Sequence, residues 1–188
     1  MQAIIEILVG GISGVATGIG QGLIYCYKRK QREEFMIRIL FVCWGNICRS
    51  PMAEFMFKDE IRKRGVEDRF EVKSAATSSE EIYNGVGNPV YPPARKILAE
   101  HGISCEGKRA EKLKKEDYGR YDYIIGMEEL NRSYMLRILG GDPEGKVSLL
   151  MEHTDHPRDV ADPWYTGNFQ KTYDDISEGI EGLLEDLL

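Results

Sequence analysis

The stretch that decides the fold is Val42-Cys43-Trp44-Gly45-Asn46-Ile47-Cys48-Arg49-Ser50-Pro51. An apolar run at residues 37–42 precedes the loop and predicts a buried strand, and a helical pattern begins after it at Met52. A tight loop between a strand and a helix N-terminus points successive backbone N–H groups into one cradle, which suits a dianion such as a phosphoryl group. The same field favours the thiolate of Cys43, and Arg49 can fork onto two phosphoryl oxygens. The loop therefore combines a candidate nucleophile with a candidate oxyanion clamp.

The motif around this loop resembles the phosphate loop of the low-molecular-weight protein tyrosine phosphatases, and the likeness runs from Val42 to Glu54. Further segments resemble landmarks of that family in the same order: Ser74-Ala75-Ala76-Thr77-Ser78, His101-Gly102-Ile103, Arg109-Ala110, Tyr121-Asp122-Tyr123-Ile124-Ile125-Gly126-Met127 and the acid loop Asp162-Pro163-Trp164-Tyr165. The resemblance covers residues 37–188. It implies a protein tyrosine phosphatase without metal or cofactor, with phosphotyrosine-containing proteins as substrates and a cognate tyrosine kinase as a candidate partner.

Hydrolysis of a phosphomonoester in two steps needs a nucleophile, an oxyanion clamp and a proton donor. The resemblance implies that Cys43 attacks phosphorus and forms a phosphocysteine, while Arg49 and the loop N–H groups hold the equatorial oxygens. Asp162 is the candidate general acid, and the same carboxyl can then act as base on the attacking water. Because Pro163 follows it, Asp162 is kept out of the helical region and lies on a stiff turn.

The remaining loop residues are expected to bind substrate or to shape the loop: Trp44, Gly45, Asn46, Ile47, Cys48 and Ser50. Ser50 stands at the predicted helix start, where it can cap the helix and donate its hydroxyl to the thiolate. Asn46 can adopt a left-handed backbone angle at small cost, which convergent N–H groups require. In the family an equivalent asparagine is held by other side chains, and Ser74 and His101 are the matching candidates here.

The cysteines bear on redox chemistry. The resemblance implies a reversible disulfide between Cys43 and Cys48 that protects the nucleophile from over-oxidation. Thiol-linked arsenate reductases of the same fold need two neighbouring cysteines downstream of the loop, whereas this chain has Cys105 there and Cys26 upstream. The chain therefore lacks one of the cysteines that a thiol relay for arsenate reduction needs.

Two alternatives to tyrosine dephosphorylation remain open. In the arginine-specific branch of the family the loop carries threonine at the position of Ile47, so the residue present here favours the tyrosine branch without excluding a protein arginine phosphatase. A membrane-tethered phosphopeptide-binding module without activity is the alternative from another class. The presence of Cys43, Arg49 and Asp162 together disfavours it.

A phosphotyrosine pocket should be deep and walled by aromatic side chains. Trp164 and Tyr165 beside the acid are expected to form walls, as is Trp44 in the loop. Tyr83 is a further candidate and Tyr91 a weaker one. The family usually has two tyrosines after the acid, and here Trp164 replaces the first.

A competing interpretation takes five side chains of one short segment as metal ligands: His153, Asp155, His156, Asp159 and Asp162. Their spacing would not bring them together on one face of a helix or on a hairpin, so it does not predict a fixed coordination shell. The acid loop explains the carboxylates better, so no metal is expected.

Strands and helices alternate along the chain. The expected strands are 37–42, 70–75, 121–127 and 146–150, and the expected helices run from the loop to about 64, from 93 to 101, from 128 to 139 and from 169 to the C-terminus. Alternation predicts an α/β fold: a four-stranded parallel sheet with helices on both faces and the phosphate-binding loop after the first strand. The site is then expected at the carboxyl ends of the strands.

The composition is that of a soluble globular chain, with 42% hydrophobic and 30% charged residues and a formal net charge of −6. Because no basic stripe or nucleic-acid motif occurs, a nucleic-acid partner is not expected. Four cysteines without a paired framework indicate a reducing compartment, so we expect a cytoplasmic catalytic domain at residues 36–188.

Residues 1–35 form an apolar, glycine-rich head with two open interpretations. Residues 3–27 are mostly apolar, with glycines at every fourth position from Gly10 to Gly22, and the basic cluster 28–32 follows. This pattern predicts an anchor at the inner face of a membrane, since about 20 residues span a bilayer. Alternatively the start is mis-assigned and the domain begins at Met36, because so many glycines disfavour a helix.

Overall fold

Strand β1 (Ile37–Cys43) lies at the centre of a four-stranded parallel sheet in the computed structural model, which describes residues 36–188. The other strands are β2 (Phe70–Ala76), β5 (Tyr123–Gly126) and β6 (Val147–Leu149), and the order across the sheet is β2-β1-β5-β6. Two short strands, β3 (Ile82–Tyr83) and β4 (Val86–Gly87), pair as a separate antiparallel hairpin. The predicted four-stranded parallel sheet is confirmed.

Six α-helices occur between residues 36 and 188: α1 (Arg49–Lys63), α2 (Pro92–Glu100), α3 (Asp117–Arg120), α4 (Glu129–Leu139), α5 (Pro163–Thr166) and α6 (Phe169–Leu187). Short 3-10 turns cover Glu67–Arg69 and Leu150–His153. The four long helices lie where the sequence predicts them. The helices α3 and α5 and the β3–β4 hairpin were not predicted, because two to four residues are too few to show a periodicity.

The central strand buries side chains on both of its faces. Ile39 and Phe41 belong to a hydrophobic cluster with α1, α2 and α6, whereas Leu40 and Val42 belong to a second cluster with α4. Alternate residues of a strand point to opposite faces, so an unbroken apolar run is what a sheet covered on both sides requires. The prediction of helices on both faces is confirmed.

The sheet brings the ends of its central strands to one edge. β1 ends at Cys43, and the neighbouring strand β5 ends at Gly126, two residues before Glu128. Loops after parallel strands meet at this edge, which is where open α/β sheets bind ligands.

The expected membrane segment at residues 3–27 and the alternative of a mis-assigned start lie outside the described residues. Within residues 36–188, none of the helices has both the length and the apolar character needed to span a membrane.

Candidate active site

The loop after β1 closes around the sulfur of Cys43. This side chain is buried, its Sγ lies 3.0 Å from the hydroxyl oxygen of Ser50, and it accepts the backbone N–H of Asn46 at 3.3 Å. Ser50 lies inside α1, whose N-cap is Cys48, so the expected helix-capping role of Ser50 is corrected. Its hydroxyl lies where the other expected role needs it, beside the sulfur, and this contact can stabilise a thiolate.

Asn46 holds the loop in shape. Its backbone has a φ of 56°, the left-handed angle that its residue type tolerates. Its fully buried side chain donates through Nδ2 to the hydroxyls of Ser50 at 2.9 Å and Ser74 at 2.8 Å, and its Oδ1 accepts the backbone N–H of Glu111 at 2.9 Å. The loop is therefore fastened to α1, to β2 and to the segment after α2.

The structure does not bring His101 to Asn46, and that expectation is corrected. His101 is exposed at the C-terminal end of α2, where its ring stacks on Tyr173 with 3.9 Å between ring centroids. The polar contacts continue instead from Ser74, which donates to the Oε2 of Glu54 at 2.6 Å. Lys108 lies 3.2 Å from the same oxygen and also donates to the carbonyl of Ser74 at 3.0 Å.

Glu54 and Lys108 form a buried ion pair behind the loop, with side chains only 3% and 7% exposed. Burial opposes the charge of Glu54, but the charge of Lys108 and the contacts with Lys58 and Ser74 outweigh it, so the pKa of Glu54 is lowered. Sequence reasoning missed this pair. The one available signal was a glutamate inside the apolar start of α1.

Arg49 presents one half of its guanidinium to carboxylates and leaves the other half free. Its Nη2 donates to Glu128 at 2.9 Å and to Asp162, whereas its buried Nη1 has no hydrogen-bond partner within the part of the chain that the structure describes. Burial disfavours the charge, but the bond to Glu128 and the charges of Cys43, Glu128 and Asp162 raise the pKa of Arg49. An unpaired buried donor is costly, so Nη1 marks the place of an anion.

Glu128 was not predicted as a site residue. Its Oε1 accepts both Arg49 and the Nδ2 of Asn131 at 2.9 Å, and the buried Asn131 in turn accepts the backbone N–H of Met127 at 3.2 Å. These bonds fix Glu128, and through it the orientation of Arg49. Its position directly after a buried strand was the available signal.

Asp162 approaches the phosphate loop from the far end of the chain. It has the extended backbone expected before Pro163, with φ −82° and ψ 114°, and it caps α5 by accepting the N–H of Trp164 through Oδ1 at 2.9 Å. Its Oδ2 contacts Arg49. Cys43, Arg49 and Asp162 therefore line one cleft of about 460 Å³.

Four aromatic side chains are among the residues that line the cleft. The predicted residues that line it are Trp44, Gly45, Ile47, Cys48, Trp164 and Tyr165. Tyr134 and Leu130 of α4 join them unpredicted, and Tyr134 packs on Trp44 edge to face at 5.2 Å. Trp164 and Tyr165 are 69% and 86% exposed, so they form the outer rim.

Four predicted residues are not among those that line the cleft: Asn46 and Ser50 have the expected contacts with the loop and the sulfur, whereas the expected wall roles of Tyr83 and Tyr91 are corrected. The side chains of Asn46 and Ser50 are buried behind the loop and shape it. Tyr83 is 75% exposed on the β3–β4 hairpin and is not among the lining residues. Tyr91 packs behind the rim, 6.0 Å from Trp164 between ring centroids.

Cys48 lines the cleft as a free thiol, and Cys43 and Cys105 are also free. Burial and, after it, the charges of Cys43 and Asp162 raise the pKa of Cys48 to about 12, against a lowering effect of Arg49. Cys48 is therefore a neutral thiol at physiological pH and does not compete with Cys43 as a nucleophile.

The residues of the competing metal interpretation have separate partners. His153 contacts Asp186 at 2.7 Å and Ser148 at 3.2 Å, and Asp159 accepts the backbone N–H of Glu129 at 3.0 Å. No group of three or more His, Cys, Asp or Glu side chains in residues 36–188 has an arrangement that could hold a metal ion.

The sequence and the fold match one family throughout the described domain. The family model described as "Low molecular weight phosphotyrosine protein phosphatase" matches residues 38–188. The low molecular weight protein-tyrosine-phosphatase YfkJ of Bacillus subtilis is 38% identical over 79% of this chain and 94% of its own length. PtpA of Staphylococcus aureus, with the same description, is 32% identical over 80% of this chain and 93% of its own length.

Solved structures agree with the sequence comparisons. The crystal structure of Bacillus subtilis YfkJ superposes with a TM-score of 0.76 and 36% identity, over 81% of this chain and 94% of that protein. The crystal structure of a Drosophila arginine phosphatase has a TM-score of 0.71 and 28% identity, over 80% of this chain and 98% of that protein. The fold is therefore shared by one protein described as a protein-tyrosine-phosphatase and another described as an arginine phosphatase.

The buried Glu54–Lys108 pair predicts a pH-dependent effect of Lys108→Met. At pH 7 the variant leaves the buried carboxylate with Lys58 as its remaining cation and should lose about 3 kcal/mol of unfolding free energy, the lower end for a broken buried pair. Because the pKa of Glu54 is lowered in the folded protein, this stabilisation is present above about pH 4.5 and is lost as pH falls through the folded pKa.

Urea denaturation between pH 3 and 7 measures the effect. The deficit of Lys108→Met should shrink on acidification. Lys112→Met is the matched control, because the ammonium of Lys112 donates to the carbonyl of Thr77 and takes no part in the pair. A deficit that is independent of pH would contradict the assigned role of Lys108.

Proposed function

The chain belongs to the low molecular weight phosphotyrosine protein phosphatase family, and from this premise we propose that it hydrolyses phosphotyrosine in proteins through a phosphocysteine on Cys43. The observation that carries the proposal is the buried Nη1 of Arg49, which has no partner among residues 36–188, on a side chain that lines the same cleft as Cys43. A free cationic donor beside a thiol at the start of a phosphate loop suits a phosphoryl dianion and its attack by sulfur.

In the first step the thiolate of Cys43 attacks phosphorus, so that an S–P bond forms as the P–O bond to the tyrosine breaks. The leaving phenolate takes a proton from Asp162. Arg49 and the backbone N–H groups of the loop hold the equatorial oxygens, which carry the developing charge. The contact between Asp162 and Arg49 supports these roles, because it keeps the acid at the edge of the phosphoryl site.

In the second step water attacks the phosphocysteine. Asp162, now a carboxylate, takes a proton from the water, the S–P bond breaks, and phosphate leaves. The sulfur departs as a thiolate, and the hydroxyl of Ser50 at 3.0 Å can donate to it. Asn46 keeps that hydroxyl in place through its bond at 2.9 Å. Both proposed steps use Cys43 and Asp162 and need no metal or cofactor.

The walls of the cleft support phosphotyrosine as the substrate. Trp44, Tyr134, Trp164 and Tyr165 surround the opening, and the apolar Ile47 lies in the loop itself. Aromatic walls favour an aryl ring. A protein arginine phosphatase is the second candidate, supported by the likeness to the Drosophila arginine phosphatase and by the carboxylates at the cleft.

The proposed partner is a tyrosine kinase that phosphorylates the proteins on which this enzyme acts. The proposed compartment is the reducing cytoplasm, which suits free cysteines at positions 43, 48 and 105. The alternative of an inactive phosphopeptide-binding module gains no support, because nucleophile, clamp and acid share one cleft.

Turnover of matched phosphotyrosine and phosphoarginine peptides by the full chain tests the substrate. We expect a higher kcat/KM for phosphotyrosine, because the ring fills the aromatic cleft. Cys43→Ser is the blank and should bind phosphate without turnover. A preference for phosphoarginine would establish the second candidate instead, and binding without turnover of either peptide would establish the binding module.

Asp162→Ala should lower kcat on an aryl phosphate with a poor leaving group by about 10²–10⁴-fold, because the phenolate then leaves unprotonated. The loss should be smaller for an aryl phosphate with a good leaving group. Asp159→Ala is the matched control from the same loop, since Asp159 contacts the backbone of Glu129 and does not line the cleft. Equal losses in both variants, or a loss below ten-fold, would identify another acid.

Cys48 and Cys43 lie in one loop and line one cleft, which supports the proposed protective disulfide. Peroxide would convert the thiolate of Cys43 to a sulfenic acid, and the thiol of Cys48 would then condense with it, forming the S–S bond and releasing water. Cys48→Ser should therefore lose most of the recovery that dithiothreitol gives after mild peroxide treatment. Cys105→Ser is the control and should recover like the wild type; full recovery of Cys48→Ser would disprove the disulfide.

A further inference from the structure

Two carboxylates at one side of the cleft are not used by the proposed chemistry. Glu80 and Glu81 lie between β2 and β3 and line the same cleft as Cys43 and Arg49. Glu80 is exposed and Glu81 is half-buried. Neither forms an ion pair with a basic side chain of the described domain, whereas the other two carboxylates of the cleft contact Arg49.

Both carboxylates are held in place by neutral donors. The indole N–H of Trp44 donates to the Oε2 of Glu80 at 2.9 Å, and the Nδ2 of Asn88 donates to the Oε2 of Glu81 at 2.8 Å. The second oxygen of each carboxylate has no protein partner among residues 36–188. These bonds fix two negative charges at the mouth of the cleft and leave one oxygen of each free to accept from a ligand.

The absence of a side chain at Gly45 lets Glu81 pack close to the phosphate loop. A Cβ at Gly45 would lie 3.0 Å from the Cγ of Glu81, which is tighter than an ordinary contact. The charge of Glu81 also acts inside the loop, where it contributes to the raised pKa of the Cys48 thiol. Glu81 is therefore within electrostatic range of the phosphoryl site.

The charge balance of the cleft is negative. The lining residues include four acidic side chains and one cation, Arg49. The single charge of Arg49 is shared by Glu128 and Asp162, with which it is paired, so it offsets only one of their two charges, and the charges of Glu80 and Glu81 have no basic partner among residues 36–188. A substrate that brings further negative charge beside its phosphoryl group is repelled there, and one that brings positive charge is attracted.

We propose that Glu80 and Glu81 select substrates in which a lysine or arginine stands next to the phosphotyrosine. The inference rests on the proposed function and names the kind of sequence that the same site prefers. While the phosphoryl group lies on the loop, the ammonium or guanidinium of the neighbouring residue donates to the free oxygens of the two carboxylates. The occupant of this side of the cleft is thus a basic side chain of the substrate.

The test uses three phosphotyrosine peptides that differ in the residues on either side of the phosphotyrosine, which are lysine, glutamine or glutamate. The quantity compared is the ratio of kcat/KM between the lysine and glutamate peptides, determined separately for each enzyme variant, so that a general loss of catalysis cancels. We expect a ratio on the order of ten for the wild type, since exposed ion pairs are individually weak. The ratio should fall towards one in about 0.5 M salt.

The double variant Glu80→Gln/Glu81→Gln should bring the ratio close to one. Glutamine keeps a carbonyl oxygen for the Trp44 and Asn88 donors, so the walls of the cleft are preserved. The matched control Glu116→Gln/Glu185→Gln removes the same charge from two exposed positions that do not line the cleft, and it should keep the wild-type ratio.

Three outcomes would overturn the inference: a ratio near one in the wild type, a ratio unchanged in Glu80→Gln/Glu81→Gln, or an equal fall in the control variant. The last would mean that net charge alone sets the preference. Absence of turnover on all three peptides would refute the proposed function, and the inference with it. Turnover without discrimination refutes the inference alone.

Discussion

The site depends on the hydrogen bonds of one buried side chain, that of Asn46. Its backbone lies in the left-handed region, which costs asparagine less than most residues, and three bonds to Ser50, Ser74 and the backbone of Glu111 hold it there. Because that turn of the backbone is fixed, the N–H of Asn46 points at the sulfur of Cys43. The position of the Cys43 sulfur is thus set by polar contacts behind the loop, while the face towards the cleft stays free for a ligand.

Behind Asn46 the contacts end in an ion pair, Glu54 with Lys108, that packs against Ser74. Burying two charges adds little net stability, so the pair is better understood as a constraint on geometry. Its oxygen and its ammonium both bond Ser74, which leaves the Ser74 hydroxyl oriented to accept from Asn46. A substitution here acts on the loop through its shape and need not touch substrate.

The parts of this arrangement that the sequence predicts are local. The alternation of strands and helices predicted the sheet, and a strand–loop–helix with fixed spacing predicted that Cys43 and Arg49 would share a cradle. Two contacts between distant segments, of Ser74 with Asn46 and of Asp162 with the loop, were expected only from the family resemblance. The others were not readable: Lys108 reaches Glu54 only because the chain crosses from β2 through α2, and His101 was the wrong choice among residues of that crossover. Glu128 and Tyr134 were likewise missed. Which side of α4 and of its N-cap faces the cleft depends on how the helix packs on the sheet.

In the proposed mechanism Arg49 contacts both the acid and the substrate. Its Nη2 is shared by Glu128 and Asp162, whereas its buried Nη1 has no partner among residues 36–188. Under that proposal a phosphoryl dianion bound by Nη1 lies beside Asp162, because one guanidinium contacts both groups. The same carboxyl is then within reach of the leaving oxygen in the first step and of the attacking water in the second, so one cation serves both proposed steps.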